Sequence, residues 1–313
     1  MQSGISRRRF GATLLGSASL VAAPVLAPSA RADSVSTMAA PKVSASGAYL
    51  WDVTAGKRLM VKNGPTRRQM ASTTKIMTAI VVLSQKNLDL DRLLTMKQAY
   101  RNYVAEQGAS TADLRKGDKL TVRQVLHAMM LPSGCDAAMA LADHFGSGSS
   151  IRARTTSFIG MMNRKAEELG FTNTHYDSFD GISRNGDNYT TPREAALLAS
   201  EALNYKPLRV IMKRTSTVQK ATNGRTYTWY NTNQLLGSYD GAIGIKTGTG
   251  TAAGPCLVFA ARRDGRTVTG VVLNSASGSE RYTDAATMLD YAFGTRTAQT
   301  MRLRSLPPGA QND

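Results

Sequence analysis

Apolar positions come in short strand-like runs at both ends of the chain and recur at helical spacing between them. Ala48-Tyr-Leu-Trp-Asp-Val53 and Arg58-Leu-Met-Val61 predict two strands around Thr54-Ala55-Gly56, a hairpin signal. A helix is then expected from Ser72, with Ile76, Met77, Ile80 and Val81 on its buried side. A second begins at Thr121, which stands in capping-box spacing with Gln124. Its Val122, Val125, Leu126, Met129 and Met130 form an amphipathic stripe that Pro132 ends. A short helix over 136–145 follows, then one carrying Phe158, Met161, Met162, Ala166 and Leu169, stopped by Gly170. Thr191-Pro-Arg-Glu194 opens another, with a cap, a proline in the first turn and glutamate at the third position. Strand character returns over 243–248, 256–261 and 267–273, the last two joined by the two-residue turn Asp264-Gly265. A helix over 280–293 closes the pattern at Gly294.

Hairpins from both ends can share one sheet. The expected fold is therefore α+β (broadly α/β): a five-stranded antiparallel sheet flanked by helices, with an inserted all-helical lobe. Residues 45–90 and 225–298 supply the sheet lobe of a single domain over 45–298, and 91–224 the helical lobe. Residues 33–44 read as a flexible lead-in and 299–313 as a tail. A cleft between the lobes is the expected site.

Composition narrows the function. The chain has 313 residues, 42% of them hydrophobic, enough for a large core, and no apolar run reaches the ~20 residues of a membrane span. Two cysteines exclude a disulfide scaffold and a cysteine-clustered zinc site, and three histidines leave little for a metal centre. Ser6-Arg-Arg-Arg-Phe10, an apolar stretch over 11–27 and Ala30-Arg-Ala32 read as a twin-arginine signal peptide over residues 1–32, with Asp33 as the expected new N-terminus and a retained N-terminal anchor as the alternative. The expected location is extracytoplasmic, in the cell envelope or secreted, with no transmembrane domain in the mature chain. Removing the leader's four arginines from the net charge of +17 leaves +13. Export argues against nucleic acid, and an anionic cell wall is the natural neighbour of so basic a protein.

Three small motifs carry the chemistry. Ser72-Thr-Thr-Lys75 sets a hydroxyl and an amine one helical turn apart. A serine becomes nucleophilic when a neighbouring base takes its proton, and a lysine does so when its amine is neutral, a state that burial and nearby cations favour. Ser133-Gly-Cys135 breaks two helices and can push a second hydroxyl into a cleft. Lys246-Thr-Gly248 ends a strand, offering a cation, a hydroxyl and close backbone approach. Each alone fits an ordinary cap, connection or strand end. Their order and context together resemble the penicillin-recognising serine enzymes. The chain is similar, over about residues 45–294, to low-molecular-mass penicillin-binding proteins, the D-alanyl-D-alanine carboxypeptidase and transpeptidase family. Leu120-Thr-Val-Arg123, Leu131-Pro-Ser-Gly-Cys-Asp-Ala-Ala138 and Asn231-Thr-Asn233 are lesser family-like phrases.

The resemblance implies that Ser72 attacks the carbonyl between two D-alanines of a peptidoglycan pentapeptide stem and Lys75 takes its proton. Ser133 then relays a proton to the leaving nitrogen. Lys246 and Thr247 hold the terminal carboxylate, and the N–H groups of Ser72 and Thr249 form the oxyanion hole. It implies no cofactor and no metal, β-lactams as acylating inhibitors, and a monomer. Cys135 stands where most members have an asparagine that binds the substrate amide, and a thiol is a weaker donor and acceptor. Ser-Gly-Cys is a minority form found in a transpeptidase, so amine transfer stands beside hydrolysis. Export would permit a Cys135–Cys256 disulfide, although the spacing enforces none. Two alternatives remain at this point: a β-lactamase, for which Glu201-Ala-Leu-Asn204 is one residue short of the expected string, and a non-catalytic wall-binding protein. No Gly-x-Ser-x-Gly elbow occurs, and His127 and His144 fall within predicted helices.

Overall fold

The computed structural model describes residues 39–183 and 185–311. The leader and the first residues of the lead-in lie outside them. The chain runs β1 (Gly47–Asp52), β2 (Lys57–Lys62), β3 (Arg68–Gln69), α1 (Lys75–Leu83), β4 (Leu93–Thr95), α2 (Gln98–Gln107) and β5 (Lys119–Thr121). Next come α3 (Val122–Met130), α4 (Cys135–Phe145), α5 (Ile151–Glu168), β6 (Tyr189–Thr190), α6 (Pro192–Ala202) and α7 (Lys206–Met212). It finishes with β7 (Ser216–Lys220), β8 (Thr226–Tyr230), β9 (Ala242–Gly248), β10 (Cys256–Arg263), β11 (Arg266–Leu273) and α8 (Glu280–Phe293).

The expected five-stranded antiparallel sheet is present, in the order β2-β1-β11-β10-β9. Turn chemistry sets its hairpins. Asp52 Oδ1 accepts from the Ala55 N–H at 2.9 Å before Gly56 turns left-handed. Asp264 and Gly265 both have positive φ, 47° and 78°, as a two-residue hairpin of matching twist requires. Alternation then divides the side chains between two cores. Leu50, Leu257, Phe259, Val268 and Val272 pack on Tyr282, Ala285, Met288 and Leu289 of α8. Tyr49, Val258, Ala260 and Val271 point the other way, into the core shared with α1 and α3–α6. Covered on both faces, these strands carry nearly continuous apolar sequence. Phe259 lies across from Gly270, where a Cβ would sit 2.3 Å from its ring, so the strand interior needs glycine there.

The capping box forms as read: Thr121 Oγ accepts from the Gln124 N–H while Gln124 returns its side chain to the Thr121 N–H. Thr191 caps α6 through one bond, its Oγ1 accepting from the Glu194 N–H at 3.2 Å, while the Glu194 carboxylate turns to Asn173 and Thr174. Several expectations need correction. Ser72 opens no α-helix; it sits in a 3₁₀ turn, Ala71–Thr74, that leads into α1. Helix α1 is buried all round rather than on one stripe, because α3–α6 surround it. Helix α6, assigned by sequence to the helical lobe, packs on β1 and β11. The end of the lead-in is anchored: Val43 is buried, and the Ser44 N–H and hydroxyl donate to Asp284 at 2.6 and 2.7 Å. The tail is anchored too, by Met301 and Leu303 on the α8 core and by Arg304. Two helices, α2 and α7, and three two-stranded ladders had no sequence reading. Helix α2 fully buries only Tyr100, too little to mark a stripe.

Candidate active site

Lys75 is the first residue of α1 and Ser72 lies one turn before it. Its Nζ, wholly buried, donates to Ser72 Oγ at 2.8 Å, to the Asp180 carbonyl at 2.9 Å and to Cys135 Sγ at 3.3 Å. Ser72 is partly exposed and faces a cleft of about 660 Å³. The hydroxyl therefore meets solvent while the amine sits beneath it. Asp180 is aimed by its own carboxylate, which accepts from Tyr103 OH at 2.8 Å and from the Ile182 N–H at 3.0 Å. Gly181, at φ +99°, passes so close to the 3₁₀ turn that a Cβ would lie 2.0 Å from Ala71 O.

Ser133 occupies the break between α3 and α4 in a left-handed conformation, φ +64°. Its Oγ is buried without a hydrogen-bond partner among the described residues, a costly state unless a ligand completes it. Its carbonyl accepts from Ser110 Oγ at 2.8 Å, and the Ser110 carbonyl accepts from the Cys135 N–H at 2.9 Å. Asp136 holds this wall from behind. Wholly buried, it accepts from Ala112 N–H, Leu114 N–H and Thr111 Oγ1 at 2.9 to 3.0 Å, and burial raises its carboxyl above the usual range. Cys135 starts α4. Burial pushes its thiol up to about 12, against the pull of Lys75, so it is a protonated thiol at neutral pH and a poor nucleophile. The Cys135–Cys256 disulfide does not form: both cysteines are free and buried.

Lys246, Thr247 and Gly248 end β9, the edge strand that pairs only with β10 in the sheet. Lys246 and Thr247 are buried, Lys246 Nζ donating to the Thr247 carbonyl at 2.9 Å, and Thr247 Oγ1 shares a hydrogen bond with Thr232 Oγ1 at 2.6 Å. Asn231 Nδ2 donates to the carbonyls of Met212 and Arg214 at the end of α7, and Asn233 Oδ1 accepts from the Leu235 N–H; neither lines the cleft. At Gly248 a Cβ would lie 2.9 Å from Ser72 N and 3.0 Å from Thr73 N, so β9 runs directly against the serine's backbone. Thr249 lines the cleft beside Ser72. Its hydroxyl accepts from Arg281 at 2.9 Å, a buried guanidinium on α8 that sequence reading missed. The signal was available: Arg281 falls on the same helical stripe as Ala285, Met288 and Ala292, where a cation is out of place.

Ser72, Lys75, Ser133, Cys135, Lys246, Thr247 and Thr249 are thus gathered where α1, the α3–α4 break and the end of β9 meet. The histidines are elsewhere. His127 and His144 donate through Nδ1 to the carbonyls four residues earlier in their own helices, and burial lowers both below the usual imidazole value. Glu201 accepts from Asn204 Nδ2 at 2.8 Å beyond the end of α6 and does not line the cleft. Among the described residues, no cluster of three or more His, Cys, Asp or Glu side chains could hold a metal ion.

The arrangement offers an activated hydroxyl, a buried amine and a second buried hydroxyl, beside cations suited to a carboxylate. Comparison with known proteins agrees. Residues 34–277 match the peptidase S11 family of D-alanyl-D-alanine carboxypeptidases. The D-alanyl-D-alanine carboxypeptidase of Streptomyces sp. strain K15 is 49% identical over 291 residues, 91% of this chain and 98% of that one. The crystal structure of the Streptomyces K15 DD-transpeptidase superposes with a TM-score of 0.80 at 50% identity, covering 82% of this chain and all of that one. The carboxypeptidase DacD from Francisella tularensis superposes at 0.74 with 29% identity, over 82% and 71% of the two chains.

Proposed function

The chain belongs to the peptidase S11 family of serine D-alanyl-D-alanine carboxypeptidases and DD-transpeptidases, and from that premise we propose how its residues divide the reaction. The substrate is a peptide ending in D-Ala-D-Ala, carried on a peptidoglycan stem. It lies extended along β9, whose outer edge suits the addition of one more strand. Lys246, Thr247 and Thr249, the last steadied by Arg281, receive the terminal carboxylate.

Ser72 Oγ attacks the carbonyl carbon of the penultimate D-alanine as Lys75 Nζ takes its proton. The 2.8 Å contact between these two atoms, at the floor of an open cleft, is the observation that carries this reading. The oxyanion rests on the N–H groups of Ser72 and Thr249, a type of contact worth about 3 kcal/mol in the transition state. As the C–N bond breaks, Ser133 passes its proton to the departing D-alanine amine and takes up the one held by Lys75, which returns Lys75 to the neutral amine and gives the orphaned hydroxyl a role. Water, or an amine from a second peptide, then attacks the acyl-serine; Lys75 takes the nucleophile's proton and hands it to Ser72 Oγ as the ester C–O bond breaks. β-Lactams acylate the same oxygen. Cys135, as a neutral thiol, supports Lys75 only weakly, which favours a slow acyl-enzyme that amines can intercept.

The test is one incubation with diacetyl-Lys-D-Ala-D-Ala, with and without glycine. Released D-alanine together with a glycine-ended transfer product supports the reading, and a Ser72→Ala protein that still releases D-alanine overturns it. We further propose export through the twin-arginine leader, with the mature chain a monomer starting at Asp33. N-terminal sequencing of the exported protein checks the cleavage.

A further inference from the structure

Residues 299–311 lie beyond the segment matched to the family, 34–277, and are held to the body unevenly. Arg304 is a clamp. Its guanidinium donates to the carbonyls of Asn231, Leu236 and Asn233 at 2.7, 3.0 and 3.2 Å, and its N–H to Ser238 Oγ at 2.7 Å. Past the clamp the segment turns at Pro307, whose carbonyl accepts from the Ala310 N–H at 3.1 Å. A cavity of about 360 Å³ lies between Pro308–Gln311 and β8, so this stretch is not packed down. Among the described residues its tip is held by one long side-chain hydrogen bond: the Thr111 N–H donates to Gln311 Oε1 at 3.3 Å.

That contact stands where this cavity, which Thr111 lines, meets the catalytic cleft, since Gln311 lines both. Gln311 lines the same cavity as Ser72, Ser110 and Thr249, and Thr111 follows the serine that props Ser133. The acceptor is a carboxamide oxygen, chemically the same as a peptide carbonyl. We propose that the Thr111 N–H is a peptide-binding point of the cleft and that the tail fills it in the resting enzyme, as a tethered competitor of the substrate peptide. A substrate carbonyl takes the donor when the tail lifts, pivoting at Arg304. Because the competitor is weakly held but permanently near, its release improves apparent substrate binding by about three- to ten-fold. The proposal rests on the peptidase reading given above.

The experiment compares the full chain with one ending at Leu306, which keeps the Arg304 clamp, Met301 and Leu303, and with Gln311→Ala. D-Alanine release from diacetyl-Lys-D-Ala-D-Ala is followed against substrate concentration. The proposal expects KM to fall about three- to ten-fold in the shortened chain, and in the same direction for Gln311→Ala, with kcat unchanged. An equal or higher KM overturns it, as does a change confined to kcat. If the shortened chain does not fold, as judged by its melting curve, Gln311→Ala alone decides. Absence of D-alanine release from every form, the full chain included, would instead reject the peptidase reading itself.

Discussion

The two walls of the cleft are built differently. The β9 wall is held by main-chain pairing with β10 and by apolar cores on both faces of the sheet. The opposite wall, Gln107–Ser110 with Cys135, is backed by irregular backbone, Thr111–Leu114 and Ser133, fixed by individual side chains: Asp136, Ser110 Oγ and the Trp229 indole, which donates to the Ala112 carbonyl at 2.9 Å. A ladder spreads its support over many equivalent bonds. An irregular wall concentrates it in a few, and so does a buried pair such as Ser72–Lys75. Substitutions should therefore separate the walls by what they damage.

The largest effect is expected at the junction of the walls. Lys75→Ala removes the proton acceptor and should slow acylation by about 10³-fold with a well-folded product, measured by penicillin labelling rate. A loss under tenfold would detach the lysine from the chemistry. On the irregular wall, Asp136→Ala strands the N–H groups of Ala112 and Leu114 and should cost about 3 kcal/mol in urea unfolding, activity falling with stability. Unchanged stability there would mean that the loop needs no such prop. On the sheet wall, Gly248→Ala forces β9 away from the Ser72 backbone. Activity should fall about 10²-fold, since small misplacements of reacting groups are costly, while the sheet keeps the protein folded. Equal damage to stability would erase the contrast between the walls.

The smallest effect is on pH dependence. Burial holds His127 and His144 below the ordinary imidazole value, so on acidification the unfolded chain takes up protons that the folded one resists. Stability should be complete above the unfolded value near 6.5, decline as pH falls from there toward the lowered folded values, and level off below them. The slope should flatten in a His127→Gln, His144→Gln protein. A melting temperature independent of pH between 7 and 5 would contradict this.

Legibility in the sequence followed the same division. The five sheet strands were readable because their apolar runs are bounded by turn residues such as Asp264-Gly265, and Ser72 with Lys75 because a three-residue spacing survives in any helical turn. The 3₁₀ geometry around Ser72 was not readable, since its first turn differs from an α-helix only in hydrogen bonding. Asp136 and Asp180 act through partners up to 105 residues away, and nothing local distinguishes a carboxylate that holds a remote loop from one in water. The anchoring of the tail was not readable because one arginine and two apolar residues leave no periodic trace.

The most direct measurement of the central claim is mass mapping of the penicillin-treated protein after proteolysis. The account predicts one stoichiometric penicilloyl adduct on the peptide containing Ser72, absent in Ser72→Ala and unaffected by Cys135→Ala. An adduct on Cys135 or any other residue, or none while D-alanine is still released, would contradict it.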